Sequence, residues 1–330
     1  MRAIARYLWI KRDLSSEESA KNVVWRERMQ MEETEIEGFR IKMFSFNDLL
    51  IGIPTEIGPR ILYFASKERP EFNMFRILPE AGAPTSEGFW HIYGGHRLWS
   101  SPEAKPRSYS MDNQPVQITV NGENVEIHGR PEHANSTQKI ISVKPLGKNE
   151  VCVTHSIRNI GRWPIKFACW ALSIMRKNGF AIIPLQPSKV DEEGLLPDRR
   201  VTFWPYSQLS DPRLKLTDGY IFVRQDPKMP NPFKIGAMAN PSWTAYWADG
   251  IAFVKRFTQE QGEYPDFGCN VETYTNSEIL ELETLGALKT VEPGETIRHT
   301  EIWSLLNVGD LAPESQSVKE KLEPLMQGQA

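Results

Sequence analysis

The sequence predicts a mostly-β domain, with many antiparallel strands packed as a two-sheet sandwich and short helices at its ends. Three observations lead there. Short β-rich segments recur at roughly the 8–12-residue spacing of a sandwich. Several are joined by turn pairs that close antiparallel hairpins. No alternation of helix and strand runs through the middle, which argues against a doubly wound α/β fold. No fixed period stands out either, which counts against a propeller.

Composition bounds the rest. The chain has 330 residues, 40% hydrophobic and 25% charged, as in ordinary soluble globular proteins. No shift in composition marks a boundary, so residues 1–330 read as one domain. A net charge of −3 argues against nucleic acid or an anionic membrane as the main partner, since both select basic surfaces. No run of about 18 apolar residues provides a membrane span. The start, MRAIARYLWIKRD, is broken by Arg2 and Arg6 and lacks the apolar core of a signal peptide. Cys152, Cys169 and Cys269 are odd in number, widely spaced and form no CxxC pair, so neither a zinc site nor a disulfide framework is visible. A reducing, cytoplasmic setting is expected. Monomer and homodimer both remain open.

The elements follow in order. Residues 14–30 read as a helix, with Ser15 and Glu18 spaced as a capping box, inside an N-terminal helical extension over 1–33. FRIKMFSF, LLIGIP and PRILYFA then read as short strands broken by Gly or Pro. In PVQITVNGENVEIHG, Val116, Ile118 and Val120 alternate with polar residues, Asn121-Gly122 is the expected turn pair, and Val125 and Ile127 resume the alternation. LGKNEVCVTHSIRN gives a second hairpin. AYWADGIAFVKRF gives a third, turning at Asp249-Gly250. LETLGALKTVEPGETIRHTEIWSLL gives a fourth, turning at Pro293-Gly294. Residues 184–242 are Pro-rich and read as long loops over one sheet face, where sites usually lie. The tail, 312–330, ends in a helix.

Three segments are dense in polar and aromatic residues. In residues 91–115, Gly94-Gly95 permits a turn or a close backbone approach, and His96 and Arg97 follow. On a regular strand these two point to opposite faces, so they share a site only across a bulge. Arg107, Tyr109, Asp112 and Asn113 follow in a turn-rich loop that serves either a ligand or buried hydrogen bonding. In residues 162–175, Trp163 and Trp170 are either core aromatics or a sugar-stacking platform. In residues 253–288, Glu281 and Glu283 are spaced to share a strand face, and Glu272 precedes them among strand formers. Carboxylates in such strands are costly to bury unless paired or functional, and Lys255 and Arg256 are candidate partners. Ten Trp add stacking surface, although β-core packing accounts for most of them. Carboxylates, Arg and aromatics together suit a polyhydroxylated small molecule. A buried Glu beside a His suits acid–base chemistry.

EIGPRILYF, GGHRLWSSPE, YPDFGCNVETYTN, LELETLGAL and VEPGETIRHTEIW together resemble the galactose-mutarotase-like superfamily, which includes the aldose 1-epimerases. The resemblance covers about residues 35–308, in a branch of its own. It implies a β-supersandwich and a carbohydrate ligand, with anomers interconverted by a Glu base and a His acid and no metal or organic cofactor. It makes Glu272 the base, because Cys269 stands just before it and the Pro293-Gly294-Glu295 turn follows a little over twenty residues later; Glu283 is the alternative base. It brings His96 into the site as the proton donor. Arg97, Arg107, Tyr109, Trp170, Lys255 and Glu283 are the expected substrate-binding set. Trp170 stands where relatives carry a histidine, so His96 or another acid must supply the proton. A non-catalytic carbohydrate-binding protein is therefore the alternative. A lyase or glycoside-processing role is supported only by fold analogy. Arg97, Arg107, Lys234 and Lys255 would meet an acidic or phosphorylated ligand, or serve as ordinary surface charges.

Overall fold

The computed structural model describes residues 29–327. Two large antiparallel sheets face each other. One has ten strands and runs from Leu214–Leu216 at one edge, through Ile251–Phe257, Thr296–Asn307 and Glu150–Asn159, to Gln117–Asn121 at the other. The second has eight. Its order is Val201–Phe203, Phe233–Ala237, Val271–Thr275, Leu280–Leu285, Ile165–Ile174, His96–Ser101 and Arg60–Ile61, with Lys289–Val291 also paired to Ile165–Ile174. A four-stranded sheet begins at Gln30–Ile36, and a two-stranded ribbon joins Ile77–Thr85 to Gly88–Gly94.

The core lies between the two large sheets. Val153, Phe253, Ile297 and Trp303 of one sheet meet Leu98, Ile235, Val271 and Leu282 of the other. Phe253 sits at the centre, its ring 5.4 Å from Phe64, 5.7 Å from Phe75 and 5.3 Å from Trp303, each in an edge-on geometry. On the far side of the ten-stranded sheet, Phe222, Trp243 and Val254 pack under Val318 and Leu322 of the helical turns at 315–327. That element matches the expected C-terminal helix. No helix among the described residues is long and apolar enough to cross a membrane.

Ile165–Ile174 is buried on both faces beyond its first two residues, which removes the polar–apolar alternation from FACWALSI. One face meets the core. The other lies under the Trp-rich layer described below.

The hairpins test the turn chemistry. Asp249 (φ 47°) and Gly250 (φ 87°) both take positive φ, as a type I′ turn demands. Residues 137–147 and 150–159 form the second expected hairpin. In the first, Asn121 pairs with Asn124, so the loop residues are Gly122 and Glu123, one place beyond the expected pair. Gly122 at φ 60° leads that loop. The fourth hairpin does not form. The turn at Pro293-Gly294 is present, with Glu295 N–H donating to Glu292 C=O at 3.0 Å, but Lys289–Val291 pairs with Ile165–Ile174 and Thr296–Asn307 joins the other sheet. The segment crosses between layers because each half finds a better-buried neighbour there.

Other expectations are corrected. Residues 30–33 belong to Gln30–Ile36, a strand paired to Phe39–Phe46, and not to a helix; the rest of the expected N-terminal helix lies outside the described residues. The stretch 184–242 is not all loop, since Val201–Phe203, Leu214–Leu216, Tyr220–Arg224 and Phe233–Ala237 extend both sheets. Truncating Phe253 to Ala leaves a void in a dry centre. It should lower unfolding free energy by about 3–5 kcal/mol in denaturant titration. A loss below about 1 kcal/mol would contradict this placement of the core.

Candidate functional site: a tryptophan-lined cleft over a buried carboxylate pair

Strand register places the candidate residues. Directly opposed residues share a face. Lys234 opposes Tyr274, which opposes Glu281. One row along, Gly236 opposes Glu272, Glu272 opposes Glu283, Glu283 opposes Leu172, and Leu172 opposes Arg97. In the next row Leu285, Trp170 and Trp99 stand side by side. All of these lie on the face of the eight-stranded sheet that points away from the core. Gly236 is required there: a Cβ would come within 2.6 Å of Cys269 Sγ and 3.1 Å of Glu272 Cγ.

Over this face lies a cleft of about 410 Å³. Trp99 and Trp170 form its floor, with rings 5.4 Å apart, while Trp90 and Tyr109 close one wall and Trp204 and Tyr206 the other. Trp90 comes from the ribbon strand Gly88–Gly94, held down by Arg60. The Arg60 guanidinium donates to the carbonyls of Ile92 (2.9 Å) and Gly94 (2.7 Å) and pairs with Asp112 at 2.5 Å. Gly94 and Gly95 serve the turn: both take positive φ, and a Cβ on Gly94 would lie 2.0 Å from the Arg76 carbonyl.

Beneath the cleft is a buried ion cluster. Lys234 Nζ lies 2.7 Å from Glu272 and 3.1 Å from Glu283, and both carboxylates are fully buried. The ammonium also stands 4.5 Å from the Trp170 ring centre and 4.6 Å from that of Trp204. Trp170 Nε1–H donates to Glu283 at 2.8 Å, a hydrogen bond that Glu272 lacks. Burial pushes the pKa of both carboxylates up, that of Glu272 well above the usual range. Burial also works against the Lys234 charge, but Glu272 and Glu283 outweigh it and keep the amine protonated. One ammonium compensates one anion. The extra donor on Glu283 favours the negative charge there, which makes Glu272 the better placed of the two to hold a proton.

At the rim, Arg97 pairs with Glu281 at 2.7 Å and lies 4.6 Å from the Trp99 ring centre. Its Nε and Nη1 have no protein acceptor among the described residues.

The structure separates the expected site residues. Glu272, Glu283, Arg97, Tyr109 and Trp170 gather at or under the cleft. His96 does not. It opposes Ser173 on the core face, behind the sheet from Glu272, and no bulge intervenes. Lys255 is also between the sheets, paired with Glu301 at 3.2 Å and not with Glu272 or Glu283. Arg256 pairs with Glu150. Arg107 donates to the Pro102 carbonyl and does not line the cleft. Trp163 lies outside any strand and is 78% exposed. Sequence reasoning missed Trp204 and Tyr206, and it did not place Lys234. The one signal for Lys234 was the apolar alternation of Phe233, Ile235 and Ala237 around it.

His96 belongs to a second polar cluster. Its Nε2 is 2.7 Å from His155 Nε2, and its Nδ1 is 2.8 Å from Ser173 Oγ. His155 Nδ1 faces the His299 carbonyl at 3.0 Å and so carries hydrogen. His155 Nε2 then accepts from His96, and His96 Nδ1 accepts from Ser173. Burial lowers the pKa of both rings, in keeping with this neutral chain. Glu301 accepts from Trp303 Nε1 at 2.6 Å and from Thr284. Burial would raise its pKa, but the Lys255 ammonium and the hydrogen bond from Thr284 hold it at about 2. Among the described residues only His96, His155 and Glu301 have metal-ligand atoms converging within 4.8 Å. The 2.7 Å gap fits a shared proton better than an ion, because two nitrogens about 2.0–2.1 Å from a tetrahedral zinc stand about 3.3 Å apart. Lys255 already supplies the cation.

No family model and no curated protein matches the sequence. Solved structures do match. A TPR-domain containing protein from Parabacteroides distasonis superposes with TM-score 0.55 at 12% identity, over 84% of this chain and 48% of its own length. The chain thus spans about half of that protein. Galactose mutarotase-like proteins from Clostridium acetobutylicum (TM-score 0.51, 10% identity, 85% and 99% covered) and Lactobacillus casei (0.50, 7%, 84% and 100%) match along nearly all of their length. The fold is galactose-mutarotase-like. In this example of the mutarotase-like fold the cleft face carries two glutamates and a lysine, and none of the six histidines lines the cleft.

The split protonation gives a signed prediction. Folding raises the Glu272 pKa above its ordinary 4.5, so the group's contribution to stability is complete below that value and is lost as pH rises through the folded value. Glu272→Gln does not titrate. Its unfolding free energy relative to the unsubstituted chain should therefore rise as pH increases above 4.5, read by denaturant titration at each pH. A difference that is flat with pH would contradict a proton on Glu272.

Proposed function

We propose that the cleft binds a carbohydrate. The observation that carries this reading is the combination of an aromatic lining, with Trp204 and Tyr206 on its more open wall, and polar groups whose charges are already matched. Flat aromatic faces suit the C–H faces of a sugar ring. The carboxylate of Glu281 suits its hydroxyls, while Arg97 Nε and Nη1 are covered and reach a ligand only if the Arg97 side chain shifts. Both cations lining the cleft have carboxylate partners, Arg97 with Glu281 and Lys234 with Glu272 and Glu283. That pairing favours an uncharged, hydroxylated ligand over a phosphorylated one. The galactose-mutarotase-like fold supports the same class of ligand.

A second reading, interconversion of sugar anomers, is favoured by the two carboxylates in different protonation states. A pair whose environments push its pKa values apart is the usual mark of an acid and a base. Glu283 would take the proton of the anomeric hydroxyl while Glu272 gives one to the ring oxygen; the ring opens, and reclosure returns both protons. No histidine is needed. Both carboxylates are fully covered, so this chemistry requires Trp170 or Lys234 to move aside.

One experiment separates the readings. Freshly dissolved α-glucose, α-galactose and α-mannose are followed by NMR with and without protein, recording ligand saturation transfer and anomer equilibration together. Binding to at least one sugar is expected, weakened about tenfold in Tyr206→Ala, whose exposed ring can be removed without opening the core. Faster equilibration that disappears in Glu272→Gln would establish the epimerase. Binding without acceleration would establish a binding protein. Absence of binding across mono- and oligosaccharides would contradict both.

A further inference from the structure

The cleft has a neighbour on the same sheet face. A second cavity, of about 480 Å³, is lined by Pro102, Arg200, Met238, Tyr264, Phe267 and Leu288. Two chain segments link it to the first. Pro102 lines the second cavity, and the next residue, Glu103, lines the first. Lys234, Gly236 and Met238 alternate onto the same face, Lys234 at the first cavity and Met238 at the second. Met238 stands one residue past the strand end at Ala237, four residues and about 13 Å along the extended chain from Lys234. Glu272 opposes Gly236, so it lies beneath the midpoint between the two.

The mouth of the second cavity has an unusual backbone. Asp266 (φ 52°, ψ 52°) and Phe267 (φ 61°, ψ 24°) are consecutive non-glycine residues in the left-handed region, and Gly268 follows at φ 95°. An aromatic residue is an outlier there. The surroundings hold it in place: Arg200 Nη1 donates to the Phe267 carbonyl at 3.1 Å, Cys269 Sγ contacts the Asp266 carbonyl at 3.1 Å, and Cys269 N–H donates to the Pro265 carbonyl at 2.9 Å. The result is a Phe267 ring that is 87% exposed beside a cavity. Strain kept together with an exposed apolar ring is better explained by a contact the ring makes than by packing, since packing would bury it.

We propose that the second cavity is a subsite for a further unit of an oligosaccharide, with Phe267 as its stacking platform. This rests on the carbohydrate reading of the first cleft. A single sugar ring is far shorter than the roughly 13 Å between Lys234 and Met238, so the ligand is then at least three units long, with its middle unit over Glu272.

Calorimetry on the full chain tests this with glucose against maltotriose and cellotriose, and mannose against mannotriose. For at least one pair the trisaccharide should bind about tenfold tighter than the monosaccharide. In Phe267→Ala that ratio should fall to near one, and in Phe267→Tyr it should persist. If monosaccharides bind but no trisaccharide binds tighter, or if the ratio survives in Phe267→Ala, the subsite is wrong and the first cleft stands. If no sugar binds at all, the carbohydrate reading fails and takes the subsite with it. A Phe267→Ala variant that changes oligomeric state and leaves the ratio intact would assign the ring to a protein contact and overturn the proposal.

Discussion

One ammonium group organises the site. Lys234 is buried on a β-strand, between two aromatic faces and against two carboxylates that water cannot reach. Removing such a group from water costs several kcal/mol per charge, and the cost is recovered only when every charge has a partner. The cluster meets that condition if one of its two carboxylates is protonated, leaving one cation against one anion. Trp170 decides which carboxylate is which, because its indole N–H reaches Glu283 and not Glu272. The same indole lies under the cleft, packed against Trp99 and beneath the Lys234 ammonium. Charge balance, proton position and ligand platform therefore depend on one another. A substitution at Lys234, Trp170 or Glu283 should disturb all three together.

The sheet makes this arrangement possible. A β-strand sends alternate side chains to opposite faces, so one layer of backbone serves two clusters that never meet. Glu272, Glu283 and Arg97 face the cleft. One residue away from Arg97, His96 faces the core and joins His155, Glu301 and Lys255. Each cluster has its own lysine and its own carboxylate. The interlayer cluster ties strands of both large sheets across the centre of the sandwich. It performs a structural task with residues that, in a sequence, look catalytic.

That alternation also marks the limit of what the sequence showed. The mostly-β sandwich was legible from hairpin patterning, and Asp249-Gly250 took the turn its residues favour. The shared face of Glu281 and Glu283 was legible from their spacing, and the opposite directions of His96 and Arg97 followed from strand geometry. Partner strands were not legible, because pairing is decided by burial far along the chain. Lys289–Val291 was expected to fold back on Thr296–Asn307 and instead paired with Ile165–Ile174. Lys234 was obscured because Pro-rich sequence surrounds a strand of only five residues, Phe233–Ala237. Trp204 and Tyr206 lie after Val201–Phe203 in a stretch with no periodicity to place them. Ile165–Ile174 hid its cleft face because both its sides are covered.

The most direct test of the account is infrared spectroscopy of the protein at neutral pH, reading the carbonyl band of a protonated carboxylic acid. The unsubstituted chain should show one buried carboxylic acid band that persists above the ordinary carboxylate range, and Glu272→Gln should lack it. Glu283→Gln should lack it as well, because Glu272 then becomes the sole counterion of Lys234 and ionises. Absence of the band from the unsubstituted chain, or its persistence in Glu272→Gln, would contradict the proton assignment on which the site is built.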